Sequence, residues 1–343
     1  MKQKHSALKF HHGMGPKVVA LGGGTGLSTM LRGLKHFSDN ITAIVTVADD
    51  GGGSGVLRQD LGMPPPGDIR NCLLALSNTE PVMDELLGYR FTEGILKGQS
   101  FGNLFLAALN EISPSFDVAV RRMSDVLAIT GCVLPVTNED VNLEAEFENG
   151  TRVVGESKIF QFKKEQDCRI RQVRMLPEHP QALQESLNAI RAADLILLGP
   201  GSLYTSIIPN LLVSGVADAI AQSDALKLYV CNVMTQEGET EGYSAADHVR
   251  ALFKHADAHL FDYCLINSAP IPEDICVRYA EEGAAPIIRD VEECAKMDVK
   301  MIEKPVSVIT DDGKVKHDPL ALTREIFSIY SEYGAMRIAE DGF

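Results

Sequence analysis

Two neighbouring carboxylates, Asp49 and Asp50, precede a run of glycines and a serine. They follow an apolar, β-branched segment, and in many α/β folds an acid at the end of the second strand contacts a ribose. Adjacent carboxylates also suit a hard cation such as Mg²⁺. Both interpretations stay open, and Gly51, Gly52 and Ser54 are expected to belong to a flexible loop that closes over a ligand.

A second cluster of small residues, Gly22 to Gly26, follows the first predicted strand. Glycines let the backbone approach a ligand closely, and the amides that begin the next helix attract an anion. The cluster is not a strict dinucleotide fingerprint, since Leu27 replaces its third glycine, and it is not a P-loop. It predicts either a phosphate-binding turn or a tight strand–helix turn without a ligand.

Two later loops after predicted strands also carry polar side chains. Residues 199–206 combine glycines with four hydroxyl groups, a composition suited to a phosphate or pyrophosphate. Asn232 and Thr235 lie in the loop after the next strand. These residues are candidates for contacts to the same ligand.

Three polar residues near predicted helix starts have both a structural and a functional interpretation. Asp68 suits an N-cap. Arg70 lies in the first helical turn, where the dipole disfavours a cation unless it pairs with a phosphate or an acid such as Asp50. Asn103 can cap its helix or bond a ligand.

The last candidates lie far along the chain. Tyr279 can stack on a base or sugar, and Lys316 and His317 are polar residues beside apolar elements. For all three, an ordinary surface position is the alternative.

The elements that must position these residues form a repeated pattern. Strand 17–21, helix 27–37 and strand 41–48 make a βαβ unit, which implies parallel pairing. Further strands, each followed by a polar loop and a helix, are predicted at 194–198, 226–231 and 259–266. The sequence predicts an α/β, Rossmann-like, doubly wound fold with a mostly parallel sheet.

This fold brings the candidate loops together. In an open parallel sheet, ligands bind outside the carboxyl ends of the strands, near the point where strand order reverses. The polar loops are therefore expected to meet at one sheet edge, and they lie at residues 22–26, 49–55, 199–202, 232–236 and 267–268.

Domain boundaries follow from changes in pattern along the chain. We expect residues 1–15 and 334–343 to be tails and residues 16–333 to form a single domain. Within it, residues 132–176 alternate over short segments and predict a small β insertion.

Composition narrows the class of protein. The net charge of −15 argues against binding to nucleic acid and to anionic membranes. No apolar run approaches the ~20 residues of a membrane span. The seven cysteines form no C-x-x-C pair, which fits reduced thiols and a cytoplasmic protein. No nucleophile–base motif is present.

Several of these segments are similar to a known family. The chain resembles the bacterial gluconeogenesis factor family, a branch of the CofD-like superfamily that includes 2-phospho-L-lactate transferase. The resemblance spans residues 18 to about 319 and includes GGGTGLSTMLRGLK, TVADDGGGSG, PPGDIRNCLLALS, LGPGSLYTSIIPNLL and CNVMTQEGETEGYSAADHV.

The resemblance implies a Rossmann-like domain that associates into homodimers and binds UDP-N-acetylglucosamine. It further implies a role in cell shape and wall-precursor supply during growth on gluconeogenic carbon sources. For the transferase branch it implies Mg²⁺-dependent transfer of a phospholactyl group from a nucleotide donor, with Asp49 and Asp50 at the shared site.

Two hypotheses follow: a nucleotide-sugar-binding regulator without turnover, and a Mg²⁺-dependent transferase acting on a nucleotide-linked substrate. Both place the ligand on the same residues. The candidate ligand-binding residues are Gly23, Gly24, Thr25, Gly26, Asp49, Asp50, Gly51, Gly52, Ser54, Asp68, Arg70, Asn103, Gly199, Gly201, Ser202, Thr205, Asn232, Thr235, Tyr279 and Lys316. Asp49 and Asp50 are also the candidate metal ligands and the candidate catalytic residues.

Overall fold

The computed structural model of the chain describes residues 15–166 and 168–340, with residues 334–340 described only by their backbone. The tail expected at residues 1–15 therefore lies outside the described residues, apart from Gly15. No helix in the described part of the chain combines the length and apolarity that crossing a membrane requires.

The strands of the described residues alternate with helices along most of the chain. They are β1 (Val18–Gly22), β2 (Ile41–Val45), β3 (Cys132–Pro135), β4 (Asn142–Phe147), β5 (Arg152–Val154), β6 (Ile170–Leu176), β7 (Leu195–Leu198), β8 (Leu226–Val230), β9 (Tyr263–Asn267), β10 (Lys300–Lys304), β11 (Ser307–Ile309) and β12 (Val315–His317).

The helices are α1 (Gly24–Leu34), α2 (Gly52–Leu61), α3 (Gly67–Leu76), α4 (Pro81–Gly88), α5 (Phe101–Glu111), α6 (Phe116–Val126), α7 (Glu156–Gln166), α8 (Gln184–Arg191), α9 (Ile208–Leu211), α10 (Val216–Ala221), α11 (Ala245–Ala256), α12 (Glu273–Glu281), α13 (Val291–Ala295) and α14 (Pro319–Glu340). A π-helical turn, Leu203–Ile207, leads directly into α9.

The central sheet has seven parallel strands in the order β10-β9-β8-β7-β1-β2-β3. The order reverses between β1 and β7, so the crevice beside these two strands is the expected place for a ligand. The predicted α/β, doubly wound fold with a mostly parallel sheet is confirmed.

The innermost strands are apolar on both faces, as parallel strands covered by helices must be. Every residue of β1 and β7 is buried. The helix after β1 buries the stripe expected from its spacing, formed by Leu27, Met30 and Leu31 together with Leu34.

Both glycine clusters are helical where the sequence predicts loops. Helix α1 begins at Gly24 instead of Leu27, and α2 begins at Gly52, within the predicted flexible loop. Glycine is a poor helix former, but here the close approach of neighbouring backbone, which only glycine permits, outweighs its low helix propensity. A Cβ atom at position 55 would collide with the carbonyl group of Asp50. Only glycine therefore fits at this position of the turn.

The predicted β insertion differs from the structure in two ways. Its first segment, β3, pairs with β2 in the main sheet, and only β4, β5 and β6 form a separate antiparallel sheet. The segment also contains the helix α7, which alternation does not predict. At the other end of the chain, α14 continues to Glu340, so the backbone of 334–340 belongs to a helix.

Candidate functional site

A cleft of about 620 Å³ opens at the carboxyl edge of the sheet. Four of the five predicted loops, those after β1, β2, β7 and β8, contribute to it. The predicted residues that line it are Gly23, Gly24, Thr25, Gly26, Asp49, Asp68, Gly201, Ser202, Asn232, Thr235, Tyr279 and Lys316. The fifth loop lies elsewhere, since Asn267 and Ser268 line a different cavity.

The first wall of the cleft is the start of α1. Gly23 occupies the N-cap position and offers no side chain to cap the helix, although the carboxyl group of Asp68, from α3, accepts a hydrogen bond from the Gly24 amide. Unpaired amides at a helix start carry partial positive charge and bind anions. Thr25 and Gly26 line the cleft, so this helix start borders it.

The second wall lies against the first. A Cβ atom on Gly26 would lie 2.7 Å from the carbonyl carbon of Pro200 and 2.8 Å from the Cα atom of Gly201. The loop after β7 therefore packs directly on α1, and the glycine at position 26 makes this contact possible.

The amides that follow Ser202 are already occupied. The buried carboxylate of Glu239 accepts hydrogen bonds from the backbone amides of Leu203, Tyr204 and Thr205, at 3.0–3.1 Å. Burial raises the pKa of Glu239 to about 7, although these hydrogen bonds oppose the shift. The expectation that this turn binds a phosphate is wrong for these three amides, because an internal acid takes the place of the anion.

Polar side chains hold this loop in position. The Asn232 amide accepts from the Gly201 amide at 3.1 Å and donates to the Gly201 carbonyl at 2.8 Å. Ser202 donates to Gln236 at 2.8 Å. Thr235 is buried, and its hydroxyl accepts from the Ala285 amide. Asn232 and Thr235 therefore shape the cleft besides lining it.

The two adjacent acids diverge. Asp49 lines the cleft, and one of its oxygens accepts from the Gly51 amide at 2.8 Å. Asp50 accepts from the Ser157 amide, also at 2.8 Å, and so fixes the start of α7. Asp49 therefore faces the cleft while Asp50 is engaged by α7, and the metal pair stays a prediction. No cluster of three or more metal-ligating side chains occurs in residues 15–166 and 168–340.

A different carboxyl group joins Asp49. Glu156, at the start of α7, lines the cleft and hydrogen-bonds Asp49. Burial, followed by the charge of Asp49, raises the pKa of Glu156 well above its usual value. Burial, again followed by Asp49, raises the pKa of Asp68 to about 7, against a hydrogen bond from Gly24 and the charge of Arg70. Besides Asp49, the cleft therefore holds two acids with raised pKa values, Glu156 and Asp68, and such groups are candidates for proton exchange.

The three candidates at helix starts, Arg70, Asn103 and Asp68, differ in their surroundings. Arg70 donates to Ser100 at 2.6 Å and to Asn71 at 2.7 Å, and does not reach the cleft. Ser100, and not Asn103, caps α5. Asp68 is inside α3 and not its N-cap, which is Pro66.

The remaining predicted ligand-binding residues lie outside the cleft. Gly52 is in the left-handed region at the start of α2, and Ser54 is buried against Gly67. Gly199 packs behind the loop, where its Cβ atom would lie 3.0 Å from the Val230 carbonyl oxygen. Thr205 lines a neighbouring cavity of about 340 Å³.

The far wall of the cleft comes from β12 and α12. Tyr279 accepts a hydrogen bond from the Val315 amide at 2.9 Å, which fixes the strand carrying Lys316. Lys316 is the one lysine or arginine among the described residues that line the cleft. The adjacent His317 is buried, and burial lowers its pKa to about 4, so it is neutral.

Sequence reasoning misses Glu156 and Phe160 of α7, and also Glu239. Nothing near Glu156 and Phe160 resembles a ligand-binding motif, whereas Glu239 lies inside segment 231–249, which carries the family resemblance, without a signal of its own. The one available signal is Asp50, since a carboxylate that caps a distant helix can bring that helix to the loop.

Residues 18–307 match the 2-phospho-L-lactate transferase CofD family. The chain belongs to this family. A protein of Thermoanaerobacterium thermosulfurigenes is 56% identical over 92% of this chain and 97% of its own. The gluconeogenesis factor of Bacillus subtilis is 49% identical over 89% of this chain and 95% of its own.

A solved structure of this CofD-family branch has the same fold. The crystal structure of a Bacillus halodurans protein superposes with a TM-score of 0.88 at 46% identity, covering 91% of this chain and 99% of that one. The resemblance to the gluconeogenesis factor family is confirmed by these relatives.

Proposed function

We propose that this CofD-family protein binds a nucleotide sugar, UDP-N-acetylglucosamine, in the cleft between α1 and β12. One observation carries the proposal: in a chain with net charge −15, the cleft pairs the start of α1, whose N-cap residue Gly23 has no side chain, with Lys316. Backbone amides and a lysine are the groups that hold a pyrophosphate.

The rest of the cleft suits the other parts of such a ligand. Its volume of about 620 Å³ lies within the range of small-molecule sites. Tyr279 and Phe160 offer aromatic surface for a base, while Asp49 and Gln236 can accept or donate hydrogen bonds to sugar hydroxyls. Because Glu239 occupies the amides after Ser202, the anion site of this proposal is the start of α1, where Asp68 accepts from the Gly24 amide and Thr25 and Gly26 line the cleft.

The biological role in this proposal is that of a gluconeogenesis factor. The B. subtilis relative bears that name. The protein would act in the cytoplasm, as a homodimer, in cell shape and wall-precursor supply during growth on gluconeogenic carbon sources.

Replacing Lys316 with methionine tests the proposal. We expect the Lys316→Met variant to bind UDP-N-acetylglucosamine about tenfold more weakly by calorimetry, because a charge-assisted contact to the pyrophosphate is lost. The Lys314→Met variant is the matched control, since Lys314 is also exposed but pairs with Asp312 outside the cleft. Equal losses in both variants, or no binding by the wild type, would overturn the proposal.

A Mg²⁺-dependent transferase is the second candidate, favoured by Asp49 and Glu156 beside the same cleft. Group transfer from a nucleotide needs charge neutralisation and positioning more than a nucleophile. These carboxyl groups are suited to Mg²⁺ once both are ionised.

The Asp49→Asn variant tests this candidate. If the protein transfers a group from a nucleotide donor, the variant should lose at least about tenfold of the Mg²⁺-dependent rate while still binding nucleotide. The test follows donor consumption by phosphorus NMR with and without Mg²⁺, with exposed Asp60→Asn as the control. A variant that retains the full rate would remove Asp49 from the mechanism.

A further inference from the structure

A second polar cavity, of about 220 Å³, lies between β6 and α11 and shares no lining residue with the cleft. We call it the basic pocket. Its lining residues include four cations and two acids; they are Arg169, Arg171, Arg250, Lys254, Glu148 and Asp247. This excess of positive charge is unusual in a chain whose net charge is −15.

Two of these cations, Arg169 and Lys254, are without an ion-pair partner in the described part of the chain, and Lys254 donates to the Arg171 carbonyl at 2.8 Å. Arg171 pairs with Glu146 at 3.0 Å and Arg250 pairs with Asp247 at 2.6 Å. Arg169 has no carboxylate partner among the described residues, and its guanidinium lies 5.9 Å from the centre of the Tyr243 ring. Stacking on an aromatic ring orients a guanidinium while leaving its N–H groups free to bind an anion.

Two tyrosines add a hydroxyl donor. The hydroxyls of Tyr204 and Tyr243, both lining the basic pocket, lie 2.8 Å apart. Burial raises the pKa of each phenol, so both keep their protons at neutral pH. A bond between two hydroxyls uses one proton, which leaves the other for an acceptor in the pocket.

The histidine in the basic pocket is not a further cation. Nδ1 of His255 lies 2.7 Å from the Ala251 carbonyl, and Nε2 accepts from the Val173 amide at 3.0 Å. An imidazole that donates from one nitrogen and accepts at the other is neutral. Burial also lowers the pKa of His255. The attraction for an anion therefore comes chiefly from Arg169 and Lys254, with the ion-paired Arg171 and Arg250 beside them.

We infer that the basic pocket binds the phosphate group of a small metabolite, at a site separate from the nucleotide-sugar cleft. A planar guanidinium, neighbouring cations and a phenolic donor match the three oxygens of a phosphate. The volume suits a ligand smaller than a nucleotide. This inference does not depend on the proposed function of the cleft.

The probes are glucose 6-phosphate and inorganic phosphate, titrated into the full chain by calorimetry. We expect saturable binding of at least one probe with a Kd on the order of 1 mM or tighter, weakened by added salt. The Arg169→Gln variant should bind about tenfold more weakly. Tighter binding of glucose 6-phosphate would identify a phosphate monoester as the ligand class, and equal binding would identify free phosphate.

Two controls separate this site from other effects. Arg122→Gln removes another exposed arginine, outside the basic pocket, and should bind like the wild type. Lys316→Met disables the proposed cleft and should leave phosphate binding intact. Thermal unfolding followed by circular dichroism checks that Arg169→Gln is folded. No saturable binding by the wild type, unchanged binding by folded Arg169→Gln, or loss of binding in Lys316→Met would overturn the inference.

Discussion

The Gly26→Ala variant is expected to bind UDP-N-acetylglucosamine at least about tenfold more weakly than the wild type and to lose about 2 kcal/mol of unfolding free energy. The added methyl group would lie 2.7 Å from the carbonyl carbon of Pro200 and 2.8 Å from the Cα atom of Gly201. Both neighbours are backbone and cannot rotate aside. Helix α1 and the loop after β7 must separate, which opens the cleft.

Helix propensity alone predicts the opposite change, a gain in the free energy of unfolding. Position 26 lies in the first turn of α1, where alanine is favoured over glycine by up to about 1 kcal/mol. A loss of stability would therefore show that the close approach outweighs the propensity. The measurements are calorimetric titration and urea unfolding.

Gly88→Ala is the matched control. Gly88 ends α4, and a Cβ atom there meets no atom within 4 Å. This variant should be as stable as the wild type, or slightly more so, and should bind equally well. If Gly26→Ala behaves like Gly88→Ala in both measurements, the backbone contact does not shape the cleft.

Replacing Asp68 with asparagine should change the pH dependence of stability. Asp68 has a pKa of about 7 in the folded protein, against the ordinary value of 3.8, chiefly because it is buried and also because Asp49 lies near. Asparagine resembles the protonated carboxyl in shape and charge. We expect Asp68→Asn to be more stable than the wild type by about 2–4 kcal/mol at pH 8 and nearly equal to it at pH 4.

The sign follows from proton binding. Between pH 3.8 and about 7, the folded state keeps the Asp68 proton while the unfolded state releases it. Stability contributed by this group is therefore present at low pH and is lost as pH rises through that window. The asparagine variant has no such proton to lose.

Urea unfolding at several pH values measures the difference between the variant and the wild type. Asp60→Asn, which changes an exposed aspartate on α2, controls for net charge. A difference that is constant from pH 4 to pH 8 would mean that Asp68 is not the titrating group. A difference shared with Asp60→Asn would point to the charge of the whole molecule.

The central fold was predictable from the sequence because its signals are local. Short apolar runs ending in glycines, such as 17–21 and 194–198, predict buried strands, and parallel pairing then places their polar loops on one edge. The positions of Gly26, Asp49, Ser202 and Asn232 in one cleft follow from that rule and are observed.

Which acids line the cleft, and which bond other parts of the fold, was not predictable from local sequence. Asp49 and Asp50 are neighbours, yet Asp49 lines the cleft while Asp50 bonds the start of α7. Glu156 reaches the cleft only because Asp50 holds the start of α7 there. Glu239 occupies the amides of the turn after β7 from far along the chain.

Local pattern thus determined the strands, the switch point and the glycine-rich start of α1, since each depends on residues close together in the chain. Only the tertiary structure decided which polar groups remain free for a ligand. Burial and hydrogen bonding depend on what packs against a residue, and here those partners are distant. Glu239 satisfies the amides of the turn after β7, while the start of α1, whose Gly24 amide bonds Asp68, lines an open cleft together with Lys316.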